Sequence, residues 1–295
     1  MAGLPASTSD GRPVLAGLEA VTFDFGNTLV PVDRAGLDRV VETTARVIAA
    51  RSGPFALDDV RRAWAEERER QFREEIPRFR EVDLEVRIRR VLARLRGLSP
   101  PPADRSWDDA VVAERSDPAE VRELVAVYSG AFIEALPPDP TVAGRLARLA
   151  ARYRLAILSN WPLASTIDRY AAAAGWTASL RAIVVSQRVG TIKPDAAIFR
   201  ATEVALGLSV AEADRILHVG DDWAADVVGS KRAGWRAAYL EVRPNDSPLP
   251  ASDVDGRVVA DIVVGSLAEL EAALGGARLP RRAPSLPRPG GGAGR

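Results

Sequence analysis

The chain has 295 residues, which is enough for one large domain or two modest ones with buried cores. Apolar residues make up 47% of it and 40 basic side chains balance 40 acidic ones, so no excess positive charge is present to bind nucleic acid or an anionic membrane. The absence of cysteine and the single histidine, His218, exclude disulfide scaffolds, thiolate zinc sites and cysteine nucleophiles, and leave carboxylates, hydroxyls and the backbone for chemistry.

Residues 1–14 are predicted to be disordered, because they contain too little apolar surface to fold alone. They also lack the basic segment followed by an apolar segment that marks a secretion signal. No uninterrupted apolar stretch in the chain approaches the roughly 18 residues that a membrane helix needs. We therefore expect a cytoplasmic protein that does not act at membranes.

The first predicted strand covers residues 20–25, and the interval after it shows no convincing strand pattern. Residues 33–136 instead carry long amphipathic patterns rich in arginine and glutamate, which predict helices. We expect an all-helical insertion of this size to form a cap domain above the carboxyl edge of the sheet. That edge is where open α/β sheets bind their ligands.

After the insertion, short apolar runs alternate with helical patterns. The further predicted strands are residues 155–158, 182–185, 216–219, 237–240 and 262–264, and the predicted helices are residues 142–152, 163–174, 195–206 and 224–233. This alternation indicates right-handed crossovers in a parallel sheet. The predicted fold class is therefore α/β, with a Rossmann-like doubly wound sheet formed by residues 15–32 and 137–274. The arginine-, proline- and glycine-rich tail, residues 275–295, is predicted to be disordered.

Polar side chains follow the ends of the predicted strands. They are Asp24 and Thr28 after the first strand, Ser159 and Asn160 after the second, Lys193 after the third, and Asp221, Asp222 and Asp226 after the fourth. The carboxyl ends of parallel strands meet at one edge, so several like charges would meet there, and a cation would have to neutralise them. Magnesium fits this set better than zinc, since all the ligands are hard oxygens.

The same edge offers the groups that a phosphoryl group requires. The hydroxyls of Thr28 and Ser159 and the ammonium of Lys193 would place donors and positive charge around its equatorial oxygens. An aspartate that faces the phosphorus could attack it in line. These features favour phosphoryl chemistry on a small substrate.

Four ordered segments carry a family resemblance: Asp24 to Thr28, Ser159, Lys193-Pro194, and Gly220-Asp221 to Asp226. In this order around a helical insertion, they resemble the haloacid dehalogenase-like (HAD) hydrolases with a helical C1 cap. The resemblance covers roughly residues 18–270, and four ordered motifs are far more specific than any one of them.

The resemblance implies roles for the residues that match. Asp24 would be the nucleophile that forms an aspartyl-phosphate, and Lys193 would stabilise both the phosphate and Asp24. Thr28, Ser159 and Asn160 would bind the phosphorylated substrate.

It also implies a Mg²⁺ site. The ligands would be Asp24, the backbone carbonyl of Gly26, Asp221 and Asp226. Asp222 is either a further ligand or a cap of the helix that follows it.

One position departs from the family's phosphatase pattern. Phosphatases of this kind usually carry a second aspartate two residues after the nucleophile, as general acid and then base, and this chain has Gly26 there. A positioned acid or base contributes about 100- to 10,000-fold, so we expect slow turnover, activated substrates or a substitute group. Asp222, Asp33 and His218 are the substitutes that the sequence offers, although a histidine inside an apolar run is more often a packed residue.

Three functions are therefore open. The favoured one is a Mg²⁺-dependent phosphatase that acts on a small phosphorylated metabolite. A 2-haloacid dehalogenase would use Asp24 to attack carbon and normally lacks the second aspartate too, which makes Gly26 ambiguous. A phosphate-binding regulatory protein with low turnover is the third, since Gly26 removes the proton carrier.

Overall fold

The structure is a computed structural model that describes residues 15–276. The predictions of disorder for residues 1–14 and for the tail from residue 277 onward lie outside this range. None of the helices within it combines the length and apolar character that a membrane span requires.

The described residues form a six-stranded parallel sheet with the strand order β3, β2, β1, β4, β5, β6. The strands are β1 (Ala20–Phe23), β2 (Arg154–Ser159), β3 (Ala182–Val185), β4 (Ile216–Gly220), β5 (Arg236–Leu240) and β6 (Ile262–Val264). In the centre of the sheet, Phe23 pairs with Ile157 on one side and with Val219 on the other. The predicted α/β fold with a parallel, Rossmann-like sheet is confirmed.

Helices cover both faces of the sheet, as in a doubly wound fold. They are α6 (Pro140–Ala150), α7 (Ala164–Ala173), α8 (Ser186–Val189), α9 (Ala196–Leu206), α10 (Gly229–Arg232) and α11 (Leu267–Leu274). Leu155 and Ile157 of β2 pack into one core with α6 and α7, whereas Ala156 and Leu158 pack into a second core with α9. Burial on both faces explains why the strands are nearly continuous apolar runs rather than alternating patterns.

The helix predicted at residues 224–233 is divided in two. Trp223–Val228 is π-helical, and α10 begins only at Gly229. Apolar periodicity does not distinguish a short π-helical turn from an α-helix, so the sequence pattern could not predict this division. Such turns are often found at functional sites, and this one carries Asp226.

Residues 33–136, all of which the structure describes, contain no strand. Their helices are α1 (Arg34–Arg51), α2 (Leu57–Glu75), α3 (Leu84–Leu95), α4 (Asp109–Ala113) and α5 (Pro118–Ala135). Four of these helices begin with an aspartate whose side chain caps free backbone N–H groups: Asp33, Asp83, Asp108 and Asp117. The boundaries of a separate cap domain stay a prediction.

An aromatic cluster joins the end of β1 to the inserted helices. The ring of Phe25 packs edge-on against Trp161 and Tyr170, with centroids 5.2 Å apart in both pairs, and Phe132 of α5 completes the cluster. The buried Tyr170 hydroxyl donates to the carbonyl of Leu136, at the end of α5, over 2.9 Å. The turn that follows β1 thus packs against residues of the sheet region and against the inserted helix α5.

We predict that Tyr170→Phe destabilises the protein by about 1–2 kcal/mol, because it leaves the buried Leu136 carbonyl without its hydrogen-bond donor. Tyr153→Phe is the matched control, since Tyr153 is only partly buried and its hydroxyl makes a longer bond of 3.3 Å to the Leu274 carbonyl. Urea denaturation followed by circular dichroism measures both changes. Equal stability of the two variants would contradict a structural role for the Tyr170 bond.

Candidate active site

Lys193 lies at the centre of the candidate site, in the segment before α9. Its ammonium donates to Asp24 Oδ1 over 2.9 Å, to the Leu158 carbonyl over 2.9 Å and to Asp226 Oδ1 over 2.6 Å. The side chain is 1% exposed, and all three of its donors are used. Burial alone would lower the pKa of Lys193, but the charges of Asp226 and Asp24 outweigh it and raise that pKa above its usual value. Lys193 is therefore a permanent buried cation.

Asp24 follows β1 and begins a tight turn. Its backbone N–H donates to the Val219 carbonyl of β4 over 2.8 Å, which holds it against the centre of the sheet. Asn27 has φ +58°, a left-handed conformation that asparagine tolerates, and it allows the N–H groups of Leu29 and Val30 to return to the Phe25 carbonyl. Burial raises the pKa of Asp24, Lys193 opposes that rise and Asp226 adds to it.

Asp226 and His218 lie beneath Lys193. The Nε2 atom of His218 is 3.0 Å from Asp226 Oδ1, and its Nδ1 atom is 2.8 Å from the Thr22 hydroxyl. Burial and the charge of Lys193 lower the pKa of His218, so the ring is neutral and Nε2 carries the hydrogen that Asp226 accepts. Burial would raise the pKa of Asp226, but Lys193 and His218 together hold it well below its usual range.

Two of the substitutes for a general acid are thereby misplaced. His218 is fully buried and its two nitrogens contact Asp226 and Thr22, so it orients Asp226 from below and does not face a substrate. The carboxylate of Asp33 accepts from the Gly36 N–H as the cap of α1. Neither residue is placed to move a proton at Asp24.

Asp221 follows β4 and carries the least compensated charge of the site. Its Oδ2 atom is 3.1 Å from the Arg243 guanidinium and accepts from the Asn27 amide over 3.3 Å. Burial, Asp24 and Asp226 nevertheless raise the pKa of Asp221 to about 8, and Arg243 opposes this only in part. At neutral pH this carboxyl group resists ionisation unless a further cation approaches.

Asp222 and Asn160 make contacts within the protein that differ from the predicted ligand roles. Both oxygens of Asp222 accept hydrogen bonds, from Ala225 N at 2.8 Å and from the backbone and hydroxyl of Ser252 at 3.0 and 2.8 Å. Asp222 is therefore a helix cap that also holds a loop. The Asn160 side chain accepts from the Lys193 backbone N–H over 2.7 Å and donates to the Lys193 carbonyl over 3.0 Å. It therefore positions Lys193.

Thr28 and Ser159 differ from these residues because their hydroxyls have no partner. Both oxygens are buried, and neither makes a hydrogen bond of normal geometry, although Ser159 lies close enough to Asp24 to lower the pKa of that carboxyl group. Buried hydroxyls in folded proteins are nearly always hydrogen-bonded. The Ser159 hydroxyl beside Asp24 and the Thr28 hydroxyl in the turn after β1 therefore have no hydrogen-bond partner among residues 15–276.

The carboxylates of Asp24, Asp221 and Asp226 could hold a metal ion, because each offers one oxygen within 4.8 Å of the others. Asp24 and Asp221 are the better ligands, since both oxygens of Asp226 already accept hydrogen bonds from Lys193, His218 and the Asp222 N–H. Burial and the neighbouring charges of Asp24 and Asp226 raise the pKa of Asp221, as expected where carboxylates are crowded together. The residues present thus fit a hard divalent cation.

The loop between β5 and β6 crosses the site, which the sequence analysis missed. Ser247 accepts from the Asn27 amide over 3.0 Å, and Arg243 bridges Asp221 and the Pro250 carbonyl. A Cβ atom built on Gly26 would lie 2.6 Å from Leu249 Cδ1 and 3.1 Å from the Trp161 ring. Apolar atoms therefore fill the place where a second aspartate would project. The signal for this loop was the stretch of proline, serine, asparagine and aspartate directly after a strand end.

A cavity of about 430 Å³ opens above these groups. Asp24, Lys193 and Asp221 line its floor, and residues of α2, α3, α5 and the segment before α3 line the opposite wall. That wall includes Arg68, Phe72, Ile76, Phe79, Glu81, Val82, Arg87 and Tyr128. The inserted helices thus form part of the same cavity as the carboxylates.

A protein-family model described as haloacid dehalogenase-like hydrolase matches residues 18–234. Similar solved structures include a 2-haloacid dehalogenase from Pseudomonas syringae pv. Tomato DC3000, at 20% identity and TM-score 0.58 over 88% of this chain and 98% of that one. A HAD phosphatase from Thermococcus onnurineus is 20% identical, with TM-score 0.55 over 89% and 100% of the two chains. An L-2-haloacid dehalogenase from Xanthobacter autotrophicus is 20% identical, with TM-score 0.51 over 88% and 99%. No curated protein matches the chain. At these identities the solved structures support the fold.

We predict that Asp221→Asn raises the melting temperature by a few degrees at pH 8 in the presence of a chelator. The folded-state pKa of Asp221 is about 8 against an ordinary 3.8, so the folded wild type binds the extra proton and loses stability as the pH rises from about 4 to 8. The asparagine does not titrate and avoids this loss. The difference should shrink towards pH 4, as measured by calorimetry.

The exposed Asp246→Asn serves as the control for removal of one negative charge. Added Mg²⁺ should stabilise the wild type and the control but not Asp221→Asn. A stability difference that does not change with pH would contradict the uncompensated charge at Asp221.

Proposed function

The chain belongs to the haloacid dehalogenase-like hydrolase family, and on that premise we propose that it is a Mg²⁺-dependent phosphatase of small phosphorylated metabolites that reacts through an aspartyl-phosphate on Asp24. The observation that carries the proposal is the cluster of Asp24, Asp221 and Asp226 within reach of one common ion, in which Arg243 compensates the charge of Asp221 only in part. Asp226 is already neutralised by Lys193, so Asp24 and Asp221 are the carboxylates that a metal ion would stabilise.

The groups around Asp24 suit a phosphoryl group. The free hydroxyls of Thr28 and Ser159 donate to its oxygens, and the Lys193 ammonium adds positive charge. Lys193 also holds one oxygen of Asp24, which leaves the other oxygen for attack. Mg²⁺, held by Asp24, Asp221 and the Gly26 carbonyl, would neutralise charge on the phosphoryl oxygens.

The reaction has two steps. The free Asp24 oxygen attacks phosphorus, the ester P–O bond breaks, and the electron pair of that bond leaves with the alcohol oxygen. Water then attacks the phosphorus of the aspartyl-phosphate, which releases inorganic phosphate and restores Asp24. Lys193 orients the carboxylate in both steps and neutralises charge on the phosphoryl group.

Departure of the alcohol is the weak point of this site. The leaving oxygen must gain a proton, and the position that would provide one holds Gly26 covered by Leu249. His218 and Asp33 are occupied elsewhere, as the geometry above describes. The rate of the first step should therefore depend strongly on how readily the leaving group departs as an anion.

The same observation favours a second candidate, a 2-haloacid dehalogenase. In that reaction Asp24 attacks carbon and a halide leaves without a proton. The absence of an acid at Gly26, where Leu249 fills the space, would therefore not slow the reaction. This candidate differs from the first because its activity would not require a metal ion. A 2-haloacid that is turned over in chelator, without hydrolysis of any phosphate ester, would favour it.

We predict that Asp24→Asn is folded but reduces phosphatase activity to background, because the amide is a poor nucleophile. Chelation should abolish wild-type activity, and Asp221→Asn should reproduce that loss. Rapid acid quench and mass spectrometry of the wild type should find the phosphoryl group on Asp24. Its detection on another residue would contradict the mechanism, and undiminished turnover in chelator would contradict the role of Mg²⁺.

We predict that aryl phosphates react at least about 100-fold faster than alkyl phosphates, since no acid assists the leaving group. The double variant Gly26→Asp, Leu249→Ala should narrow this gap, mainly by raising kcat for the alkyl substrates. Gly26 does not adopt the left-handed backbone conformation, so Leu249 rather than backbone strain is the obstacle to an aspartate.

Leu249→Ala alone is the control for loss of the apolar contact, and Mg²⁺ binding of each variant is checked by calorimetry. Efficient hydrolysis of alkyl phosphates by the wild type would show that another group already transfers the proton.

A further inference from the structure

The cavity wall formed by the inserted helices carries two arginines. Arg87 of α3 is 6% exposed and Arg68 of α2 lies near it, and both line the cavity together with Tyr128. The Arg87 Nε atom donates to Gln71 over 2.9 Å, and its guanidinium carbon lies 5.8 Å from the centroid of the Trp64 ring. The Arg68 guanidinium lies 4.8 Å from the centroid of the Phe72 ring.

Arg87 has no carboxylate partner within ion-pair distance among residues 15–276. The nearest acids are held by other groups. Glu81 accepts from the Ser186 hydroxyl and the Val82 N–H, and Asp83 caps α3 and accepts from the Gln187 amide. The two other buried arginines in the described part of the chain, Arg70 and Arg90, each lie within 4 Å of a carboxylate. A buried guanidinium without an acid therefore indicates that the anion comes from outside.

The electrostatics of the wall agree with this reading. Burial lowers the pKa of Arg87 to about 10, and the positive charge of Arg68 adds to the effect, so an anion would relieve both. Burial raises the pKa of Tyr128, so its hydroxyl keeps its proton and can donate. Burial also raises the pKa of Glu81, the one acid on this wall, and its two oxygens accept from the Ser186 hydroxyl and the Val82 N–H.

We propose that Arg87, assisted by Arg68 and the Tyr128 hydroxyl, binds a carboxylate of the substrate while the phosphoryl group lies at Asp24. The proposal rests on the phosphatase function and names its substrate class, a small phosphorylated carboxylic acid. A guanidinium presents paired N–H donors that match the two oxygens of a carboxylate.

The cavity between the two ends fits such a molecule. Its volume of about 430 Å³ belongs to the lower part of the range for small-ligand sites, roughly 300–1,000 Å³. Phe72, Ile76, Val82 and Ile192 give the middle of the cavity an apolar lining. We therefore expect a short hydrocarbon or aromatic body between the two anionic groups.

The test compares 4-carboxyphenyl phosphate with 4-carbamoylphenyl phosphate, which have similar shapes and similar leaving groups. We expect the wild type to prefer the carboxylate by at least about tenfold in kcat/KM. Arg87→Met should lose that preference, because kcat/KM falls more for the carboxylate than for the carbamoyl compound. Arg68→Met, at an exposed position where folding is not at risk, should reduce the preference in part. Arg89→Met is the matched control on the same helix, because Arg89 pairs with Glu85 at 2.7 Å and does not line the cavity.

A second measurement separates this proposal from the phosphatase function. Calorimetry with 4-carboxybenzylphosphonate and its carbamoyl analogue reports binding whether or not turnover occurs. If no phosphate ester is hydrolysed but the carboxylate still binds more tightly by way of Arg87, the phosphatase proposal fails and the carboxylate site stands. If esters are hydrolysed without preference, or if Arg87→Met weakens both substrates equally, the carboxylate site is overturned and the phosphatase function stands.

Discussion

A buried ammonium group must find both its hydrogen-bond acceptors and its counter-charge inside the protein, and Lys193 finds them in Asp24, Asp226 and the Leu158 carbonyl. This requirement connects three strand ends, because Asp24 follows β1, Leu158 belongs to β2 and Asp226 follows β4. Two further sets of hydrogen bonds hold this network in place. Asn160 binds the Lys193 backbone, and His218 binds Asp226. The position of Asp24 is thus determined by a network rather than by one pair.

The same network leaves negative charge without compensation. Lys193 pairs with Asp226 and with one oxygen of Asp24. Asp221 has the Arg243 guanidinium, whose side chain is 21% exposed, and the neutral amide of Asn27. The loop that supplies Arg243 also supplies Ser252, which occupies Asp222. Among residues 15–276, both oxygens of Asp222 and of Asp226 accept hydrogen bonds, whereas only one oxygen of Asp24 and one of Asp221 do so. The free oxygens of these two residues could hold an ion, which would place the proposed metal beside the proposed nucleophile.

The sequence allowed the sheet to be predicted closely because burial on both faces demands apolar runs. β3 and β6 have the predicted bounds, and the other strands differ from them by one or two residues at an end. The site residues followed from the same logic, since the parallel strands end at one edge. The hydrogen-bond partners of the site residues could not be predicted in this way. Asn27 and Ser247 are 220 residues apart, and no local pattern in either segment specifies that they meet. The capping role of Asp222 and the clamp of Asn160 on Lys193 depend likewise on contacts that only the folded chain defines.

Substrate choice in this molecule is divided between two surfaces that affect different steps. At the floor of the cavity, Leu249 fills the space beside Gly26, so no acid there can protonate the leaving group. The rate of attack therefore depends on how readily the leaving group departs as an anion. At the opposite wall, Arg87 contacts a part of the substrate that does not react, so it contributes binding energy that persists from the ground state to the transition state. An interaction of the first kind changes kcat, whereas one of the second kind changes KM and leaves kcat largely unaltered. A substrate that meets the requirements of only one surface would be bound without being turned over, or turned over only at high concentration. Efficient hydrolysis therefore requires a single small molecule that combines a good leaving group with a distant anion.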